Sequence, residues 1–218
     1  GQKGWIGDLA HALNALPVPV VVDFTQVTTA DDVDLVIARI EASFGQQAQS
    51  EIERSDRLHL MRGRVETDRR GRTCADPLQY RAYLDIALPD HRKAVTQIVT
   101  GEHSLLEVRG GWAVRGLKID RAWRRCRFCL DAIEDSVHAL FLCNERADLV
   151  ILRASFWSDI ADVDPLIRGC SPYPARWVHA LCANRRTCAR FGKFAFDVLQ
   201  LYSLHRPFVP PAHGWVRA

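Results

Sequence analysis

Cys126, Cys129, His138 and Cys143 fall inside one short stretch, CRFCLDAIEDSVHALFLC, with the spacing C-x2-C-x8-H-x4-C. Three thiolates and an imidazole are the soft and borderline ligands that zinc takes, and together they complete a tetrahedral set. The C-x2-C pair is at the separation where a tight turn aims two sulfurs at one ion. With four protein ligands no coordination position remains for water, so the ion is expected to be structural and to activate no nucleophile. The plainer alternative is a set of buried cysteines beside a core histidine. Four ligand-type residues at knuckle-like spacing favour the metal.

The chain around the cluster is basic. From Arg109 to Phe128 it carries Arg109, Arg115, Lys118, Arg121, Arg124, Arg125 and Arg127 against Asp120 alone, with Trp112, Trp123 and Phe128 interleaved. Arginine makes phosphate contacts and exposed aromatics stack on unpaired bases. Arg121, Arg124, Arg125 and Arg127 are therefore candidate phosphate contacts, and Trp123 or Phe128 a candidate base stack. A second basic row, Arg186, Arg190 and Lys193, is spaced four and three and so shares one helix face. The competing reading is a solvated charged surface with the tryptophans in the core.

Helices must position most of these residues. Asp135 or Ser136 can start a helix that carries His138 in its first turn and Cys143 near its end. Five steps of about 100° leave those two roughly 140° apart, so that helix is expected to tighten or fray at Asn144. Apolar spacing predicts helices over 5–16, from Thr28 or Thr29 through Phe44, and onward to about Arg62, with Gly45 ending or weakening the first part. Val33, Ile37, Ile40 and Phe44 form one apolar face. PVPVVVDF reads as a short strand or packed linker, and 62–77 as a polar, basic loop. Further helices are expected over 78–88, 90–100, 145–159 and 177–205, with an extended or disordered tail after them. The fold class is thus mainly α, a helical domain with an embedded CCHC zinc knuckle and little or no β-sheet. Its organisation reads as a helical region 1–118, a knuckle module with its following helix 119–165, and a helix with tail 166–218.

Whole-chain properties narrow the classes. A chain of 218 residues with 48% hydrophobic and 25% charged residues is folded rather than disordered. Net charge is only +3, so charge distribution rather than its total bears on partners. Seven cysteines, an odd number, do not read as a disulfide scaffold, and the first residues lack a signal-peptide core. No run approaches the roughly 18 apolar residues of a membrane span. An intracellular, reducing setting is expected, without membrane contact. The start at Gly1 and the single methionine, Met61, lead us to expect a segment of a longer polypeptide, though a processed or tagged chain would look the same.

Other signals carry less. TADD, Thr29 to Asp32, resembles paired catalytic aspartates but reads better as a helix cap. Cys170, His179, Cys182 and Cys188 are spaced too loosely for a second zinc set and are expected in the core. No nucleophile elbow, dinucleotide fingerprint or catalytic Cys–His context occurs.

The order VTGEHSLLEVRGGW, then CRFC, then EDSVHALFLC and a helix rich in leucine and arginine resembles the C-terminal region of reverse transcriptases from LINE-type (non-long-terminal-repeat) retrotransposons. Thr100, Gly101 and His103 match the first element with Glu102 interposed; Glu134, Asp135, His138 and Cys143 match the second. The resemblance runs from about 85 to 159. It implies a segment downstream of the polymerase, with no active site of its own, in a parent that is an RNA-directed DNA polymerase. It also implies a nuclear setting, binding of RNA or target DNA during target-primed reverse transcription, and docking against the rest of the parent polymerase. The alternatives are a zinc-folded protein–protein docking surface, or a decayed element fragment.

Overall fold

The structure is a computed structural model that describes residues 4–27, 29–67 and 73–218. Thr28 and part of the 62–77 loop lie outside the described residues. The chain packs as two compact units, 1–56 with 75–79, and 57–74 with 80–218. The boundaries expected at 118 and 165 both fall inside the second of these.

The first unit holds α1 (Trp5–Asn14) and α2 (Ala30–Arg54). Thr29 caps α2 with a reciprocal pair: its hydroxyl accepts from the Asp32 N–H at 3.2 Å, and the Asp32 carboxylate accepts from the Thr29 N–H at 2.9 Å. This accounts for the TADD segment. α2 runs unbroken through Gly45, and a 3₁₀ stretch, Asp56–Met61, follows it. The segment after α1 forms no strand. It is a packed linker, fastened where the buried Ser43 hydroxyl accepts from Val18 N–H and donates to Val18 C=O, each at 2.9 Å. The apolar faces expected to be buried stay largely open: Trp5, Ile6, Val33, Ile37 and Phe44 are exposed.

The second unit is built around α7 (Arg185–Ser203), packed against α3 (Pro89–Thr100), α5 (Ala147–Ala161) and α6 (Pro174–Ala183). Cys188, Phe191, Ala195, Val198 and Tyr202 recur at three- and four-residue steps and are all fully buried, so one stripe of α7 forms the centre of the core. Gly192 permits the close approach of α3, since a Cβ there would meet Ile86 Cδ1 at 3.0 Å and the His91 carbonyl at 3.2 Å. Phe156 and Phe194 stack with centroids 4.2 Å apart. The single helix expected over 177–205 is two, because Asn184 leaves helical geometry (φ −113, ψ 125) and its side chain caps α7 through Arg186 N–H. Only a 3₁₀ turn, Ala82–Asp85, stands where a helix over 78–88 is expected. Pro89 opens α3 and Gly101, at φ +63, closes it.

A four-residue helix, α4 (Leu106–Arg109), follows α3. Two short antiparallel ribbons complete the unit: β1 (Glu66–Thr67) with β2 (Thr73–Cys74), and β3 (Leu117–Ile119) with β4 (Trp215–Arg217). The tail is therefore ordered and returns to pair Lys118 with Val216. Among the described residues the fold is mainly helical, as the apolar periodicity predicts, and no helix is long and apolar enough to cross a membrane.

Candidate metal centre

Residues 124–134 fold back on themselves as a small hairpin. Cys126 N–H donates to Ala132 C=O at 2.8 Å, Glu134 N–H to Arg124 C=O at 2.8 Å, and Arg125 bridges to Ile133. Inside it Leu130 N–H returns to Cys126 C=O at 2.9 Å, with Leu130 in the left-handed region at φ +59. That turn brings Cys126 and Cys129 to one side. Asp135 then caps the next turn by accepting from His138 N–H at 2.7 Å, whereas the Ser136 hydroxyl is buried and has no hydrogen-bond partner among the described residues.

The expected tightening near Asn144 does not occur; the helix widens instead. His138–Leu142 is a π-helix, closed by the bond from Cys143 N–H to His138 C=O at 2.9 Å. In an i→i+5 turn, five residues go round little more than once, so His138 and Cys143 face the same side. Arg153 of α5, itself buried, secures the end of this turn: its guanidinium donates to Leu140 C=O (2.8 Å), Cys143 C=O (2.7 Å) and Asn144 Oδ1 (2.8 Å). These include carbonyls that a helix end would otherwise leave without donors.

The result is convergence. The three Sγ atoms and the imidazole nitrogen all lie within 4.8 Å of one another. Cys126 Sγ is 3.8 Å from Cys143 Sγ, and Cys129 Sγ is 3.4 Å from His138 Nε2. Cys126, His138 and Cys143 are buried and Cys129 is half-buried. Burial pushes the Cys143 thiol up to about 11, with the neighbouring Cys126 acting in the same direction. A thiolate there is costly without a cation, and a bound divalent ion removes that cost. The Tyr202 hydroxyl lies 3.6 Å from Cys126 Sγ, and burial, followed by that contact, raises its pKa. The cluster is not a satellite module: Cys126, Ala139, Leu140, Phe141 and Cys143 belong to the same core as α3, α5, α6 and α7. This Cys3His set can hold a metal ion. The looser group of Cys170, His179, Cys182 and Cys188 does not converge: Cys182 and Cys188 are buried in the core, Cys170 is exposed, and His179 Nε2 contacts Leu60 C=O at 2.9 Å.

The expected phosphate contacts divide. Arg127, inside the knuckle, is turned inward, with a side chain only 5% exposed against a fully buried Glu134. Its Nε donates to Glu134 Oε2 at 2.8 Å and its Nη2 to Oε1 at 2.5 Å, while Nη1 donates to the carbonyls of Tyr202 (2.5 Å) and His205 (2.7 Å). Arg124 is half-buried, donating to Ile119 C=O and Glu107 C=O at 3.0 and 2.8 Å, and burial lowers its pKa. Neither guanidinium is free for a phosphate. Phe128 and Trp123 are half-buried, Phe128 against Tyr202 (4.5 Å) and His205 (5.2 Å), Trp123 edge-on to His213 (4.8 Å). Arg121 remains exposed and meets Glu107 at 3.2 Å; Arg125 contacts the Asp131 carbonyl. Arg186, Arg190 and Lys193 share the exposed face of α7, Lys193 paired with Asp197 at 2.6 Å.

Glu134 is the residue that spacing does not single out. It is fully buried, and besides holding Arg127 it accepts from Arg127 N–H and Leu106 N–H, each at 2.8 Å. The resemblance matches Glu134 as a motif position without a role; only the fold shows that it faces inward. His103, matched in the resemblance, is also buried, and burial lowers its pKa to about 4. Trp112, by contrast, is exposed. No model of a known protein family matches the chain, and neither does any curated protein or solved structure.

Proposed function

We propose that this chain is a zinc-stabilised nucleic-acid-binding segment, without catalysis of its own, from the C-terminal region of a LINE-type retrotransposon reverse transcriptase. The single observation that carries the metal half is the convergence of four ligand atoms from residues 126–143. A tetrahedral ion with zinc–sulfur bonds of about 2.3 Å and a zinc–nitrogen bond of about 2.05 Å needs S···S near 3.8 Å and S···N near 3.6 Å. The Cys126–Cys143 and Cys129–His138 separations, 3.8 and 3.4 Å, match those edges. The widest separation, 4.8 Å, requires the ligands to draw in by about 1 Å. Four protein ligands close the coordination shell, which makes the ion structural, and the two inner sulfurs place it in the main core.

The binding half rests on what stays at the surface. Arg109, Arg115 and Arg121 are exposed, Lys118 and Arg125 half-buried, and Trp112 is exposed among them. Such a surface takes up phosphates and offers one ring to an unstacked base. Arg186, Arg190 and Lys193 offer further cations on α7. In the parent polymerase this surface would hold element RNA or target DNA, in the nucleus.

The test is an electrophoretic shift of structured RNA and single-stranded DNA across a salt series, with and without chelator. Removal of two phosphate contacts by Arg121→Gln with Arg125→Gln should lower the salt slope by about 1.4 on single strands. Unchanged slope and affinity in that variant place the interface elsewhere. No binding by the zinc-loaded wild type at low salt removes the nucleic-acid reading and leaves a protein-docking module.

A further inference from the structure

A recess of about 250 Å³ opens beside the knuckle, and no carboxylate lines it. One wall carries Ser104 and Arg109, at the two ends of the segment that contains α4; the other carries Ser203, His205 and Arg206, where α7 ends. Arg109 and Arg206 are exposed, and neither guanidinium has a partner among the described residues. His205 also lines the recess, its Nδ1–H donating to Leu201 C=O at 3.0 Å. The Ser104 hydroxyl has no hydrogen-bond partner among the described residues.

We infer that this recess is a phosphate-binding site, in which the Arg109 and Arg206 guanidiniums take the oxyanion and the Ser104 hydroxyl donates a further hydrogen bond to it. It rests on the nucleic-acid reading above for the source of that phosphate, a backbone phosphate of the bound strand. Two arginine forks on one concave surface repel each other until an anion lies between them, and a phosphate accepts from both. Concave walls concentrate the field that draws it in.

The knuckle builds the floor of this recess. Arg127 also lines it, but its charge is matched by Glu134, so it acts as a clasp. Through Glu134 Oε1 the pair holds Leu106 N–H, and hence the wall that carries Ser104 and Arg109. Through Arg127 Nη1 it holds the carbonyls of Tyr202 and His205, and hence the wall that carries Ser203 and Arg206. Both clasp residues lie in the stretch folded by the cysteines. The spacing of the two walls is therefore tied to the turn that carries the candidate metal ligands.

The experiment is a titration of the zinc-loaded full chain with inorganic phosphate at constant ionic strength, followed by NMR. A parallel anisotropy titration uses a fluorescent single-stranded oligonucleotide. Phosphate should shift the signals of Ser104, Arg109, His205 and Arg206. Arg109→Gln with Arg206→Gln should weaken phosphate and oligonucleotide alike by on the order of tenfold or more. Lys93→Gln, at an exposed position of α3, should leave phosphate affinity unchanged. Shifts no different from those in matched chloride, or a double variant that binds phosphate as well as wild type, overturn the site. If phosphate binds there and the oligonucleotide does not bind at all, the oxyanion site stands and the nucleic-acid reading falls.

Discussion

Removing the Glu134 carboxylate should be among the most damaging single changes outside the Cys3His set. Glu134→Ala strips a buried guanidinium of its anion, and it also leaves Leu106 N–H and Arg127 N–H without acceptors. Breaking a buried ion pair from one side costs about 3–5 kcal/mol, and each stranded donor adds on the order of 1 kcal/mol. A total of about 5–7 kcal/mol is expected, a large part of the roughly 5–15 kcal/mol that holds a domain together. Arg127→Met should cost about 3–5 kcal/mol by the same reasoning, since it leaves the Glu134 charge buried alone. The double variant should cost little more than Glu134→Ala, which gives a coupling of about 3 kcal/mol or more between the two sites. Urea unfolding at saturating zinc, followed by far-ultraviolet circular dichroism, measures all four species. Additive single costs, or a Glu134→Ala loss under about 1 kcal/mol, would refute the claim that the pair is a desolvated clasp.

Three further outcomes follow from the site and its surroundings. Chelation of the purified protein should unfold the second unit as a whole rather than a detached knuckle, because Cys126 and Cys143 lie in the main core; a near-ultraviolet spectrum unchanged after metal removal would contradict this. Arg153→Ala, which strips the donors from Leu140, Cys143 and Asn144, should weaken metal binding about 10–100-fold in competition with a chromophoric chelator, and unchanged affinity would mean the π turn holds itself. His103 is kept neutral in the fold, its pKa lowered by burial from 6.5 to about 4, so the unfolded chain binds the extra proton first as pH falls. Its contribution is fully present above pH 6.5 and is lost down to pH 4, by up to about 3 kcal/mol. His103→Gln, compared with wild type at matched metal loading, should flatten the stability curve in that window and no other.

What can be read from the residues divides along a physical line. The candidate metal ligands are legible because their chemistry is rare and their spacing short, and the starts of α2 and α3 because capping is local. The π turn is not, since periodicity arguments assume 3.6 residues per turn and nothing in HALFLC announces a wider one. The break at Asn184 is hidden by apolar residues that keep helical spacing on both sides of it. Arg124 and Arg127 read as surface because arginine usually is. Their acceptors are carbonyls at Ile119, Glu107, Tyr202 and His205 and the carboxylate of Glu134, several of them far along the chain. Pairing of Leu117–Ile119 with Trp215–Arg217 likewise depends on a contact across nearly a hundred residues, which no window of local sequence contains. The recess combines both difficulties, as its walls come from residues 104–109 and 203–207.

The i→i+5 turn between His138 and Cys143 bears on which sequences can carry this site at all. An α-helix places residues four apart on one side, so a chain one residue shorter here would reach the same ion with regular geometry. Insertion and deletion of a single residue are thus interchangeable between these two ligands, provided the helix changes its winding to suit. A search pattern that fixes the gap at four would overlook the shorter solution, although both would close the same coordination shell.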